Sequence, residues 1–157
     1  MASKTNAVRL VQQAKILCRE FEYEFDENDL RGTHAAQALG MPEEQVFKTL
    51  VARGERNGIH VFCIPVCCEL DLKKAAKAAG DKNMEMVPVK ELLSLTGYIR
   101  GGCSPVGMKK KYPTHIDETC ILYDEIAVSA GARGHQMILS PIALAELIGA
   151  EFADLTK

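Results

Sequence analysis

Three stretches of the chain hold residue types that could do chemistry at close quarters. The first is Gly97-Tyr98-Ile99-Arg100-Gly101-Gly102-Cys103-Ser104-Pro105-Val106-Gly107-Met108-Lys109-Lys110-Lys111, where four glycines, a Ser-Pro and a lysine run sit between apolar segments. Glycine lets main-chain N–H groups come close to a ligand, so Gly101-Gly102 ahead of Ser104 can form a nest of donors around an anion or a developing oxyanion. Read by itself, a glycine pair is more often just a turn. The second is Gln45-Val46-Phe47-Lys48-Thr49-Leu50-Val51, a strand-like apolar run broken by one lysine. An ammonium aimed into a cleft would hold a carbonyl, a ribose or a phosphate as a point charge, whereas on an edge strand it would only discourage aggregation. Lys48 shares a face with Val46 and Leu50, which leaves Thr49 on the opposite face as support. The third is Phe21-Glu22-Tyr23-Glu24-Phe25, whose alternation reads as a half-buried strand with the aromatic face inward and a Tyr23 hydroxyl able to reach a cavity.

A protein nucleophile is hard to find. No Gly-x-Ser-x-Gly elbow exists, and the four histidines (His34, His60, His115, His135) stand apart in the chain. Cys103 and Ser104 are the candidates, but Pro105 restricts Ser104 to an extended backbone, which suits a rigid binding loop better than attack. Cys63, Cys67 and Cys68 read as small core residues.

The elements that would position these residues follow from periodicity and punctuation. Thr5 caps a helix carrying Val8, Val11, Ala14 and Leu17; Thr33 and Gly40 bracket a short helix, and Pro42 begins another. Val46–Ala52 and Ile59–Val66 are strands joined through Asn57-Gly58, a type I′ hairpin signal. Asp71 caps a helix ending at Gly80, Met84–Val87 is a short strand, and Pro88 opens a helix ending at Gly97. Thr114–Ile116, Ile126–Ser129 and Gln136–Leu139 are strands, the last two joined by the turn Ala130-Gly131-Ala132-Arg133-Gly134, and Ser140-Pro141 caps the last helix. Helices and short strands interleave over 1–157 without a composition break, which gives a single α/β domain and argues against a doubly wound sheet.

At 157 residues and 47% hydrophobic, the chain can bury a core with neither disulfide nor metal. Six scattered cysteines without a CxxC pair, and an N-terminus without a secretory apolar core, predict a reducing cytoplasm; no apolar run is long enough for a bilayer. With 19 basic and 21 acidic residues, a net charge of −2 argues against a protein that grips nucleic acid tightly through phosphate contacts alone.

Beyond these residue-level readings, the chain resembles the YbaK/ProX family, the editing domain that removes wrong amino acids from tRNA and is also inserted in some prolyl-tRNA synthetases. The resemblance covers nearly the whole chain. It rests on Gln45–Val51, on Glu69-Leu70-Asp71-Leu72-Lys73-Lys74, on Thr96-Gly97-Tyr98 with Gly101-Gly102-Cys103-Ser104-Pro105, on Lys109-Lys110-Lys111 leading to Pro113-Thr114, and on Val128-Ser129-Ala130-Gly131 with Arg133-Gly134. Within the family the residues most resemble the deacylases of cysteinyl-tRNA(Pro) and cysteinyl-tRNA(Cys). The resemblance implies a mixed, barrel-like β-sheet surrounded by helices, with catalytic residues Lys48, Gly101, Gly102 and Ser104 and substrate-binding residues Tyr23, Thr49, Cys103, Pro105, Ser129 and Gly131. It implies no cofactor and no metal. Gly101 and Gly102 would steady the carbonyl oxygen, Lys48 would fix the ester or ribose, and the thiol of the substrate would attack its own ester and leave as a thiolactone. The implied partners are the acceptor end of an aminoacyl-tRNA, touched by Lys109–Lys111, and prolyl-tRNA synthetase, with no membrane. Two other readings stay open: a water-mediated deacylase of alanyl-tRNA(Pro) or another small aminoacyl-tRNA, and a non-catalytic aminoacyl-tRNA or synthetase-binding module. Cys103 stands where an apolar residue is usual, Ala130 and Ala132 where Gly and Lys are frequent, and Gln136 where Asp is often found, departures that bear on amino-acid selectivity.

Overall fold

In the computed structural model, which describes residues 5–157, the elements run α1 (Asn6–Gln13), β1 (Cys18–Glu22), α2 (Gly32–Leu39), β2 (Phe47–Gly54), β3 (Gly58–Pro65), α3 (Leu72–Ala79), β4 (Met84–Met86), α4 (Val89–Thr96), β5 (Thr114–Asp117), β6 (Ile126–Ala132), β7 (His135–Leu139), α5 (Pro141–Ile148) and β8 (Glu151–Ala153). Short 3-10 segments cover Glu43–Gln45 and Glu118–Leu122. Capping chemistry sets most helix ends. The Asp71 carboxylate accepts from the Lys73 and Lys74 N–H groups and Gly80 closes α3 at φ 66°; Ser140 accepts from the Ala143 N–H with Pro141 at the first helical position of α5. Pro88 and Gly97 bracket α4 as expected.

Four local expectations need correction. Helix α1 stops at Gln13 because Lys15 takes a left-handed φ of 60°, so Leu17 lies outside it and is 88% exposed. Helix α2 starts at Gly32 behind Arg31, which makes no side-chain cap, and not behind Thr33. The β2–β3 hairpin pairs in full register from Phe47↔Pro65 to Gly54↔Gly58, which leaves a three-residue loop and not a two-residue turn. Its Arg56 and Asn57 N–H groups both bond the Asp81 carboxylate, and Gly58 supplies the positive φ of 71°. Finally, the aromatic strand does not face inward: β1 is an edge strand paired only to β7, with Phe21 43% and Phe25 42% exposed.

The strands form two open sheets among the described residues, β1-β7-β6 and β4-β2-β3-β5-β8. The second is mixed, antiparallel along β4, β2 and β3 and parallel from β3 through β5 to β8. Strand β8, for which the sequence carries no local signal, is three residues long and only parallel pairing with β5 defines it. A single parallel bridge, Val46↔Ala127, stitches the two sheets together. The result is the α/β arrangement of mixed sheet and helices implied by the resemblance, with two sheets that stay open and do not close into a barrel.

The main core cluster lies across the joint, where Val8 and Val11 of α1 and Leu144 of α5 pack with Phe47, Ile116, Val128, Met137 and Leu139 from both sheets. Each such fully buried side chain contributes on the order of 1.5 to 3 kcal/mol of transfer free energy. A second cluster holds α3 on the larger sheet through Phe62, Ile64, Ala75 and Leu155. Under α2, Ala36, Val46, Val66, Ala127 and Ile138 pack together, so the bridge between the sheets is braced on both sides.

Candidate active site

Strand β2 has neighbours at the two ends of one edge and none between. At its start Val46 bridges to Ala127 of β6; at its end Ala52–Gly54 pair with β4, and the Val51 C=O accepts from the Val87 N–H at 3.1 Å. The gap between these neighbours opens as a cleft of about 350 Å³, and every residue from Val46 to Val51 lines it. This edge-on arrangement explains why Lys48 and Thr49, on opposite faces of the strand, both reach the same space. Lys48 is partly buried, and its side chain makes no hydrogen bond or ion pair with any other described residue. Thr49 Oγ1 sits 3.8 Å from Cys63 Sγ.

The opposite wall comes from the smaller sheet and the glycine loop. Tyr23 follows β1, donates its N–H to the Gly134 C=O at 2.9 Å and lines the cleft. Burial raises its hydroxyl above the ordinary tyrosine range, with the neighbouring Gln136 amide offsetting part of that. Ser129 lines the cleft while its Oγ accepts from the Gly131 N–H at 3.1 Å. Gln136 lies between Phe21 and Ser129 in register, is 6% exposed, and presents a buried Oε1 with no hydrogen-bond partner. A buried acceptor left open beside a cavity is a place for a ligand donor.

The loop residues fall on different sides. Gly101 lines the cleft at φ 85°, and its N–H bonds no described residue. Gly102 does not line it: its N–H donates to the Ile99 C=O at 3.0 Å, and a Cβ there would come within 3.0 Å of the Arg133 nitrogen. The glycine pair therefore divides its work, one member open to the cavity and the other packed on the β6–β7 turn. Cys103 borders the cleft, but burial pushes its thiol up to about 11, so almost none is thiolate at neutral pH. Ser104 is fully buried and its Oγ accepts from the Val106 N–H at 3.2 Å. Gly131, at φ 103°, packs under Tyr98, whose ring carbon would stand 3.0 Å from an added Cβ. Pro105 faces away into a second cavity of about 260 Å³, which Lys110 and Lys111 border.

The structure thus brings Lys48, Thr49, Tyr23, Gly101, Cys103 and Ser129 to one cleft and leaves Gly102, Ser104, Pro105 and Gly131 behind its walls. Arg31, Arg100, Arg133 and Gln136 also line it; of these, the sequence tied Gln136 to selectivity and placed Arg133 in a motif, and assigned none of the four to the cleft itself. Arg133 carried a signal in the Arg133-Gly134 pair, and Gln136 in the alternation of its strand. Arg31 is held by Asp29 through Nε–Oδ1 and Nη2–Oδ2 bonds of 2.7 and 3.0 Å, which hold the Asp29 carboxyl down to about 2. Cys67 is exposed, not a core residue, and stands 3.7 Å from Cys68. Among the described residues, no cluster of three or more His, Cys, Asp or Glu side chains could hold a metal ion, and no helix is long and apolar enough to cross a membrane.

Residues 32–147 match the family model described as the aminoacyl-tRNA editing domain. The chain is 48% identical over 153 residues to EbsC of Enterococcus faecalis, named as a proposed Cys-tRNA(Pro)/Cys-tRNA(Cys) deacylase, covering 98% of this chain and 93% of that protein. It is also 29% identical over 104 residues to a proline–tRNA ligase of Shouchella clausii, covering 66% of this chain and 18% of the ligase. Among solved structures, a proposed trans-editing enzyme for prolyl-tRNA synthetase superposes with a TM-score of 0.80 at 30% identity over 99% of both chains.

Proposed function

We propose, from the premise that this chain belongs to the aminoacyl-tRNA editing domain family, that it is a trans-editing deacylase. Its substrate is cysteinyl-tRNA(Pro), with cysteinyl-tRNA(Cys) as a second substrate, and the amino acid's own thiol is the nucleophile. The observation that carries this reading is a cleft with a free cation and open polar groups but no activated protein nucleophile. Lys48 has no counter-ion, the Cys103 thiol is held near 11, and the Ser104 hydroxyl is buried and engaged. A substrate thiol placed beside its own carbonyl supplies the attack by proximity. The new S–C bond forms as the ester C–O bond breaks, the thiol proton ends on the ribose oxygen, and the thiolactone departs.

In this reaction Lys48 stabilises charge on the ester oxygens, with the Gly101 N–H as a donor to the carbonyl oxygen. Gln136 Oε1 accepts from the amino group, and Tyr23, Thr49 and Ser129 shape the pocket. Gly102, Ser104, Pro105 and Gly131 act through the loop and turn they hold in place. Exclusion of cysteine by the shape of a proline-sized synthetase pocket is worth only about 1 to 3 kcal/mol per small apolar difference, so a second site that requires a thiol adds what the first cannot. Prolyl-tRNA synthetase is the partner this assigns, and the cytoplasm the compartment. A deacylation panel with cysteinyl-, alanyl-, seryl- and prolyl-tRNA(Pro) tests the proposal. Rapid loss of the cysteinyl ester alone is expected; equal cleavage of the alanyl ester would replace it with the water-mediated reading.

A further inference from the structure

Two cations stand at the lip of the cleft with no anion beside them. Arg100 and Arg133 both line it, and neither forms an ion pair among the described residues. They are held close together: Arg133 Nε donates to the Arg100 C=O at 2.9 Å, tying the β6–β7 turn to the glycine loop. That bond uses one donor of the Arg133 guanidinium and leaves its terminal nitrogens available. Arg31 makes the contrast, since it lines the same cleft but is neutralised by two bonds to Asp29. Lys48, partly buried and also without an ion pair, lines the same cleft, so three unpaired cations border it.

An ester on the terminal ribose, once seated at Lys48, leaves its nucleotide phosphates trailing out through the mouth. Guanidinium groups match phosphate oxygens with paired, charge-assisted hydrogen bonds. The chain's more conspicuous basic run does not line this cleft, and its Lys110 and Lys111 border a separate cavity.

We propose that Arg100 and Arg133 form a phosphate-binding lip that grips the unpaired 3′ end of an aminoacyl-tRNA as its ester enters the cleft. The inference rests on the deacylase reading above and names the part of the substrate that this chain holds. Backbone contacts of this kind position a nucleic acid without reading its sequence, so the lip serves any acceptor end.

The test compares wild type, Arg100→Gln, Arg133→Gln, the double variant and a Lys110→Gln/Lys111→Gln control. Each is assayed across a salt series on cysteinyl-tRNA(Pro) and on the cysteinyl ester of adenosine, which has no phosphate, with thermal melts to verify folding. Each arginine variant should raise KM for the tRNA on the order of tenfold, with a much smaller effect on the adenosine ester. The double variant should flatten the log–log salt dependence by about 0.7 for each phosphate no longer held, and the lysine control should keep the wild-type slope. Arg133→Gln also breaks the tie to the Arg100 C=O, so Arg100→Gln is the deciding variant. A folded Arg100→Gln protein with wild-type KM and salt slope, an equal loss on both esters, or a slope carried by the lysines would overturn the lip. If wild type cleaves neither ester, the deacylase reading fails instead; binding of a non-hydrolysable aminoacyl-tRNA analogue to the same variants then decides the lip on the same criteria.

Discussion

The cleft wall and the His60–His115 pair both bury polar atoms that lack partners, and they treat them in opposite ways. In the cleft, Lys48 and Gln136 line about 350 Å³ of open space, and the Gln136 Oε1 is buried in its wall without a partner. On the larger sheet, His60 Nδ1 and His115 Nε2 bond each other at 3.1 Å, leaving His60 Nε2 and His115 Nδ1 unpartnered. The two rings stack with centroids 5.4 Å apart, and Phe62 stacks on His115 at 5.2 Å. The first set is a site because its residues line a cavity that a ligand can enter. The second is a cost of packing, met by keeping both imidazoles neutral: burial lowers His60 and His115 below the usual histidine range, and each also faces a carboxylate, Asp81 and Glu151, that pulls the other way. What distinguishes function from frustration here is the adjoining cavity, not the unsatisfied atom itself.

The largest test of that contrast is Lys48→Ala. Removing a cation from the cleft should cost about 2 to 4 kcal/mol of transition-state stabilisation, read as loss of kcat/KM, with the thermal melt unchanged. A folded variant with wild-type kcat/KM would place the chemistry elsewhere.

The two glycines sharpen the comparison within one loop. In Gly102→Ala the new Cβ meets backbone atoms of Ala132 and Arg133 at 3.0 to 3.2 Å, so stability should fall by about 1 to 3 kcal/mol. Gly101→Ala meets only the flexible Leu30 side chain at 3.2 to 3.4 Å but at φ 85°, which should cost about 1 to 2 kcal/mol of stability. At that position deacylation by the folded fraction should also drop, because the methyl group enters the cleft. Denaturant melts paired with single-turnover rates separate the two effects.

On the His60–His115 side the expected signature is in stability and not in catalysis. The folded-state values lie below the unfolded 6.5, so below that pH the unfolded chain binds more protons than the native one. Stability is then lost as pH falls from 6.5 toward the lowered folded values. In His115→Gln that acid-side slope should shrink; a slope that matches wild type would assign the acid sensitivity to other groups.

The smallest expected effect is Cys103→Ala. Its thiol is buried beside Val51 and Val61, so a modest stability loss of about 1 kcal/mol is expected, with cysteinyl-tRNA deacylation largely retained. A dead but folded Cys103→Ala protein would restore the protein thiol as nucleophile.

Much of this was legible in residues with a strong local signal. Asp71 and Gly80, Pro88 and Gly97, and Ser140-Pro141 set helix ends through local hydrogen bonds and fixed φ values, and they stand where the chain announces them. Lys48 stood out because one charge interrupted an apolar strand. What stayed hidden depends on distant pairing. Phe21 alternates like a buried strand residue, yet β1 pairs only with β7 and exposes it. Adjacent Gly101 and Gly102 look equivalent until the β6–β7 turn is packed against one of them. Lys110 and Lys111 look like part of the glycine loop's binding face, yet with Pro105 they line another cavity. No local pattern could have paired Arg133 with the Arg100 carbonyl, since 33 residues separate them.

The central claim is that the substrate brings its own nucleophile into a cleft that supplies cation and donors. It is tested most directly by identifying the first product of a single turnover on cysteinyl-tRNA(Pro), with the reaction quenched before the product can hydrolyse and analysed by mass spectrometry. Cysteine thiolactone as the initial product, from wild type and Cys103→Ala alike, is the result this account predicts. Free cysteine carrying oxygen from solvent at the earliest time points, or a cysteinyl adduct on Cys103, would contradict it.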